Sequence, residues 1–179
     1  MADGLSVESL TSSHEVADEA REDDAVPIGG VILRFAGARY AVDMANVAEV
    51  VPVPVLTRIP GGPAWLSGVV NWRGRVLPVI DLRPLVGAAM SPLPTSARLV
   101  VLAEADIEVG IVADMVPGLL DCSSHDLEPV PATIATGIAA LVRGVVDVDG
   151  PVALLATDAV LRLREQLPAA RRVAGFAGV

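Results

Sequence analysis

Gly68-Val69-Val70-Asn71-Trp72-Arg73-Gly74-Arg75-Val76 returns 76 residues later as Gly144-Val145-Val146-Asp147-Val148-Asp149-Gly150-Pro151-Val152, with five of nine positions identical. Each copy is a pair of Val-rich runs around a Gly-bearing turn, the pattern of a β-hairpin. An acid-started helical turn follows each, at Asp81-Leu82 and at Asp158-Ala159. An earlier hairpin precedes each, near 31–42 and near 98–112. Similarity at a fixed spacing marks duplicated units. The chain therefore reads as two copies of one unit of about five short strands, and units of that size close into barrels because closure removes unpaired edges. The expected fold class is all-β: two tandem five-stranded β-barrels with a few short helices.

Working outward, Val31–Phe35 and Tyr40–Val42 are strands about the turn Ala36-Gly37-Ala38, and Asp43 can cap a short helix over Met44–Ala48. Glu49–Thr57 carries Pro52 and Pro54, which cannot donate to a central ladder, so it is an edge strand or an extended loop. Leu66–Asn71 and Arg75–Ile80 form the first repeated hairpin, and Asp81 caps a turn over Leu82–Val86. A Pro- and Ser-bearing connector, Ala88–Ser96, leads to the hairpin Leu99–Ala103 and Glu108–Ala113. Residues 121–137 read as loop. Val142–Val148 and Val152–Ala156 form the last hairpin, and Asp158–Glu165 a closing helix.

Residues 29–165 are thus the folded domain, with a first half of about 29–96 and a second of about 97–165, strands being open to exchange between them. Residues 1–28 hold eight acidic residues and only Arg21 as a base, with few large apolar groups, so they read as an acidic disordered leader. A weak helix over Leu10–Glu22, capped near Ser12 or Ser13, is the alternative. Residues 166–179 read as a loose C-terminal tail.

Composition excludes several classes. Hydrophobic residues make up 53%, but the longest uncharged runs (59–72, 84–97 and 129–142) are 14 residues each and contain Pro or Gly. A spanning helix needs about 20. The N-terminus has no basic or apolar signal-peptide region, and Cys122 is the only cysteine, so a cytoplasmic location is expected. Net charge is −9 and all 13 basic residues are Arg. No basic stripe suits a phosphate backbone, so no nucleic acid is expected as a partner.

Catalysis is not expected either. Cys122-Ser123-Ser124-His125-Asp126 offers a nucleophile, a base and an acid, but neighbours on one loop rarely reach triad geometry, and a polar turn is the plainer reading. There is no phosphate-binding Gly-rich loop, and one Cys with two His cannot make a zinc cluster, so no catalytic residue, metal or cofactor is assigned. The two copies differ most at their turns, where the first carries Trp72, Arg73 and Arg75. A hairpin needs none of these. Either they serve an interface, where aromatic and Arg residues are enriched, or Trp72 packs inward and the arginines are solvated.

The same stretch resembles a known family. Thr57-Arg58-Ile59-Pro60, Pro63 through Gly74, and Val76-Leu77-Pro78-Val79-Ile80-Asp81-Leu82-Arg83 resemble the central signature of the CheW family of chemotaxis coupling proteins, and Val109-Gly110-Ile111-Val112-Ala113-Asp114 extends the likeness. The resemblance covers about 29–165. It implies two SH3-like barrels and a non-catalytic adaptor that couples the cytoplasmic tips of methyl-accepting chemoreceptors to the regulatory domain of the histidine kinase CheA, in an array at the inner face of the membrane. Flagellar chemotaxis, pilus-based motility and other sensory pathways use such couplers. Residue by residue, the positions tied to receptor binding fall on Val47, Glu49, Gly68, Arg73 and Val116, and no kinase-binding residue is singled out. Val47 and Val116 are equally explained by core packing, and Gly68 by a strand position that admits only a small residue. Glu49 and Arg73 are expected to pair, with Arg73 beside an apolar groove containing Val47 and Val116. The family pattern, by contrast, has no acidic leader and an aliphatic residue at position 72.

Overall fold

The structure, a computed structural model, describes residues 25–167. The expected helix over Leu10–Glu22 lies outside the described residues, as does the chain from residue 168 onward.

Ten strands form two antiparallel-dominated sheets. They are β1 (Pro27–Phe35), β2 (Ala38–Asp43), β3 (Val47–Pro52), β4 (Leu66–Trp72), β5 (Arg75–Asp81), β6 (Arg98–Glu104), β7 (Ile107–Ala113), β8 (Met115–Ser123), β9 (Val142–Asp147) and β10 (Pro151–Leu155). Two short helices, α1 (Thr136–Ala139) and α2 (Thr157–Arg162), and several 3₁₀ turns connect them. One sheet has the order β8-β1-β2-β10-β9 and the other β3-β6-β7-β5-β4. Each curls round until the segment beyond one edge strand meets the other: Thr57 bridges to Val69 in the second sheet, and Glu128 to Val145 in the first. These are the two barrels, called A and B below.

The repeat is visible in the topology, but a boundary near 96/97 falls inside barrel B, which is built from the continuous run Val47–Ala113. Each copy of the repeat is hairpin, edge strand, hairpin, and the edge strand and second hairpin cross to the other barrel. Barrel A takes β1 and β2 from the first copy and β8 to β10 from the second; barrel B takes the reciprocal set. Residues 44–46 and the single residue Asp114 are the two crossovers.

The exchange follows from where the apolar faces point. Ile28, Ile32, Ala41, Leu120, Val146, Val152 and Leu154 fill barrel A. Leu77, Val79, Leu99, Val101 and Val112 fill barrel B. The largest cluster lies between the barrels. There Val31, Leu33, Tyr40 and Val42 of barrel A meet their counterparts 69 residues on, Val100, Leu102, Val109 and Ile111 of barrel B. The two central hairpins are therefore buried on both faces, as their near-continuous Val/Leu/Ile runs require. Phe35 and Tyr40 stack with centroids 3.9 Å apart at the end of this core.

Other boundaries also differ from the sequence reading: the turn that Asp43 caps stops at Asn46 and not at Ala48, because Val47 and Ala48 already extend into β3. The leader ends earlier than residue 28, because Pro27 and Ile28 belong to β1, opposite Ser123 and Cys122, and Ile28 is buried inside barrel A. The tail begins later than Gln166, since Leu163–Gln166 is a 3₁₀ turn and Leu167 packs on the inter-barrel core. No strand is expected over residues 114–120, yet β8 runs from Met115 to Ser123 with Pro117 and Gly118 in its middle. It is an edge strand, where a missing N–H costs no ladder bond.

Ile28 supplies a direct test. A chain beginning at Gly29 should be less stable than one beginning at Ala25 by about 1.5–3 kcal/mol, the value of burying one such side chain. Thermal unfolding of the two would compare them, and equal midpoints would show that the strand is sufficient from Gly29.

Candidate functional site

The repeated turns share one architecture. The Gly74 N–H donates to Asn71 Oδ1 at 3.0 Å, and the Gly150 N–H donates to Asp147 Oδ1 at 2.9 Å. Arg73 and Asp149 both adopt left-handed backbone, φ 49° and 52°. What holds each turn differs. In the second copy, Arg39 of β2 donates to the carbonyls of Val148, at 2.5 Å, and of Gly150. In the first, the hairpin projects further: six residues separate the inward-facing pair Val70 and Leu77 (71–76), against five between Val146 and Val152 (147–151).

At that projecting tip, Arg73 Nη2 donates to Glu49 Oε2 at 2.6 Å. Glu49 is on β3 and Arg73 follows β4, the two opposite edges of barrel B, so the pair spans the seam where the barrel closes. The side chains are 72% and 36% exposed. An ion pair this wet contributes only about 0–1 kcal/mol. Trp72 takes the inward reading: it is half-buried and packs on the interior of barrel B, while the Arg73 guanidinium sits 5.5 Å from its ring centroid. Arg75 lies 4.0 Å from Glu108. The tip is thus an aromatic plug carrying an exposed Arg on its outer side.

Gly68 has a structural reason. A Cβ there would lie 2.5 Å from the Thr57 carbonyl oxygen, and its φ of 149° is costly for an L-residue. Its repeat partner Gly144 is crowded in the same way by the Glu128 oxygen, at 2.7 Å. The two glycines let the incoming chain bridge to β4 and β9 and close each barrel. Gly68→Ala should destabilise the fold by about 2–3 kcal/mol through backbone strain, measured by denaturant unfolding; an unchanged midpoint would leave its role to partner binding alone.

Val47 and Val116 are half-buried, and both pack on the inter-barrel core. They too are counterparts 69 residues apart, each just after a crossover. The structure therefore joins Glu49 to Arg73 at the tip of barrel B. It places Val47 and Val116 along the junction between barrels and Gly68 at the barrel seam.

The pattern-based reading missed a buried network beside this face. Asp81 and Arg83 are 1% and 5% exposed. Arg83 Nε reaches both Asp81 oxygens at 3.0 Å, and Nη2 reaches Oδ2 at 2.7 Å. Asp81 Oδ1 also accepts the Arg83 backbone N–H at 3.0 Å, but the turn runs Arg83–Val86 with Leu82 at its cap position and no side-chain cap, so Asp81 does not cap a turn over Leu82–Val86 as expected. Arg83 Nη1 donates to the Ser91 carbonyl at 3.2 Å and lies 3.7 Å from Asp114 Oδ1. The Asp81 hydrogen bonds push the Arg83 guanidinium further above its ordinary range, so it is charged at every accessible pH. An Asp and an Arg two apart at the end of an apolar strand are the only sequence signal of this network.

The segment Cys122–Asp126 is a capped turn. Ser123 Oγ accepts the His125 N–H at 3.0 Å and Asp126 Oδ2 accepts the Ser123 N–H at 2.8 Å, a capping box. Burial, with Asp126 and Asp121 nearby, pushes the Cys122 thiol above its ordinary range, away from a reactive thiolate. Among the described residues no group of His, Cys, Asp and Glu could hold a metal ion, and no helix is long and apolar enough to cross a membrane.

Known proteins share this architecture. Protein PilI of Pseudomonas aeruginosa is 35% identical over 109 residues, 59% of this chain and 61% of its own length. The chain thus matches less than two thirds of that relative. The chemotaxis protein CheW of Rhizobium meliloti is 28% identical over 138 residues, 76% of this chain and 88% of its own. The crystal structure of the scaffolding protein TtCheW from Thermoanaerobacter tengcongensis superposes with a TM-score of 0.65 at 27% identity, covering 73% of this chain and 85% of that one. The two five-stranded barrels are accordingly of the SH3-like kind that the family resemblance implies. The model of the CheW-like domain matches residues 29–165, all ten strands apart from the first two residues of β1, and the chain belongs to the CheW-like domain family.

Proposed function

We propose that this protein is a non-catalytic adaptor of a bacterial chemosensory array, coupling the cytoplasmic tips of methyl-accepting chemoreceptors to the regulatory domain of the histidine kinase CheA, and that it works in the cytoplasm. The observation that carries the reading is the double barrel itself, matched over residues 29–165 by a CheW-like domain. The receptor side is assigned to Val47, Glu49, Gly68, Arg73 and Val116. Arg73 and Glu49 present charge and fork geometry at an exposed tip, while Val47 and Val116 offer apolar surface at the junction between barrels. Gly68 acts through the seam that positions Arg73. Exposed apolar residues at the barrel surfaces, Val76 at 72% and Leu119 at 66% among them, suit contacts with a like-folded kinase domain. Because relatives named PilI and FrzA match alongside chemotaxis proteins named CheW, a second reading within the class is that the kinase and receptor belong to a sensory system other than flagellar chemotaxis.

The test is binding and reconstitution. The full chain, titrated into the regulatory domain of a CheA-type kinase from the same organism, should bind, and adding receptor fragments should restore receptor control of that kinase. No binding at about 50 μM with both proteins folded would defeat the reading. Selective activity with one kinase–receptor pair would identify the pathway.

A further inference from the structure

The inter-barrel face of barrel B does not stop where the buried core stops. Along β7, Ile107, Val109 and Ile111 alternate onto one face, and along β5 so do Val76 and Ile80. Val109, Ile111 and Ile80 are buried in the inter-barrel core. The outer members are not: Val76 is 72% exposed and Ile107 38%. Each lies three residues before the paired Val79 and Gly110, so the two are neighbours across β5 and β7 and form one apolar patch. Acidic groups border it. Glu104 sits opposite Ile107 in the β6–β7 ladder, Asp106 is in the turn between them, and Glu108 follows. Glu108 lies 4.0 Å from Arg75, whereas Glu104 and Asp106 are exposed and enter no ion pair among the described residues.

The chain itself leads toward this patch. Helix α2 packs on β6 and β7, and Asp158 near its start walls one cavity together with Glu104. Leu167, just after the 3₁₀ turn that follows, packs on the inter-barrel core. Its backbone is extended, φ −66° and ψ 135°, and Pro168 comes next, so the helical run ends there. Among residues 168–179 the only charged side chains are Arg171 and Arg172, and the apolar Val173 and Phe176 come directly after them. Such a segment reaches up to about 40 Å. Strand β7, at seven residues, is only about 23 Å long, so the patch is within reach from any point along it.

We propose that residues 168–179 dock back onto barrel B of the same chain, with Val173 and Phe176 over the Val76–Ile107 patch and Arg171 and Arg172 against Glu104 and Asp106. Burying apolar surface that continues an existing core supplies the attraction, and the opposite charges at the rim set the register. Attachment at Leu167 makes the contact intramolecular, so even a weak interaction is favoured by its high effective concentration. A partner that uses Val76 must then displace the segment. The docking itself needs no partner, so it stands or falls independently of the proposed function.

The experiment is paramagnetic broadening of backbone amide signals, on the full chain carrying Cys122→Ser and a nitroxide label at Ala174→Cys. The amides of Val76, Glu104 and Ile107 should be broadened, while Ala38 and Asp149, at the corresponding end of barrel A, keep their intensity. Phe176→Ser should abolish the effect. Glu104→Lys with Asp106→Lys, both at exposed positions, should weaken docking by roughly threefold, the scale of exposed ion pairs. Circular dichroism and the melting midpoint report separately that each variant is folded. Absent or uniform broadening would overturn the proposal, as would broadening centred on Ala38 or left unchanged by both sets of substitutions. So would equal broadening of an isotope-labelled chain without nitroxide when a nitroxide-bearing chain is mixed with it, since the occupant would then be a second copy.

Discussion

Asp81→Asn should lower the stability of the protein by about 3–5 kcal/mol, the cost of leaving one member of a buried ion pair without its partner. The replacement is nearly isosteric, and its amide oxygen can still accept the Arg83 backbone N–H, so that bond survives. What is lost is the countercharge of a guanidinium only 5% exposed that cannot shed its proton. Water cannot take over, because Leu82 beside it is fully buried in the inter-barrel core. For a domain of this size a loss of that order lowers the melting midpoint by roughly 10 °C. Replacing both partners, Asp81→Leu with Arg83→Met, should cost less than Asp81→Asn alone, since no buried charge remains unpaired. A single variant that melts within a degree or two of the parent would mean that the guanidinium finds another partner, and Asp114 is the residue placed to supply it.

Arg73→Glu should do the opposite: little to the fold and much to coupling. Arg73 is 72% exposed and its pair with Glu49 is worth about 0–1 kcal/mol. A glutamate at φ 49° is no more strained than an arginine, so the turn should keep its shape. At an interface the same change sets a second carboxylate beside that of Glu49 and removes a rigid fork of donors. If the proposed receptor contact desolvates the group, the cost is roughly 2–5 kcal/mol. The measurement pairs a melting curve with receptor-dependent kinase activity. A melt unchanged with activity lost supports the assignment. An unfolded variant would make Arg73 structural, and unchanged activity would remove it from the contact surface while leaving family membership untouched.

Much of this is legible in the sequence because the signals are local. A turn needs Gly74 or Gly150, a cap needs Asp43, and the repeat exposes itself through Gly68 and Gly144, which share one steric cause. The family resemblance puts Glu49 and Arg73 in one region, and the pairing expected from their positions in one barrel is present in the structure. Non-local features are less visible. β8 hides because Pro117 and Gly118 break its pattern, and nothing in the local sequence says that it will lie on an edge that tolerates them. Ile28 cannot be separated from the acidic residues before it, since its burial depends on Leu120 and Val146, which arrive much later in the chain. The Asp81–Arg83 network looks like an ordinary helix cap until Asp114 and Ser91 are brought beside it. Trp72 reads two ways because it sits at a turn, and only the open barrel mouth there decides that its ring goes inward.

The exchange of strands also governs the order in which the molecule can be completed during synthesis. Barrel B is one uninterrupted run from Val47 to Ala113, so all five of its strands have left the ribosome while β8 to β10 are still to come. Barrel A has only β1 and β2 at that moment and must wait for Leu155. The first hairpin made is therefore among the last to find its neighbours, and until then its Val31, Leu33 and Val42 can be sheltered only by the finished barrel B. Domains emerging from the ribosome usually fold from the N-terminus onward; here the strand order makes the barrel encoded in the middle of the run, Val47–Ala113, the first to have all its strands available.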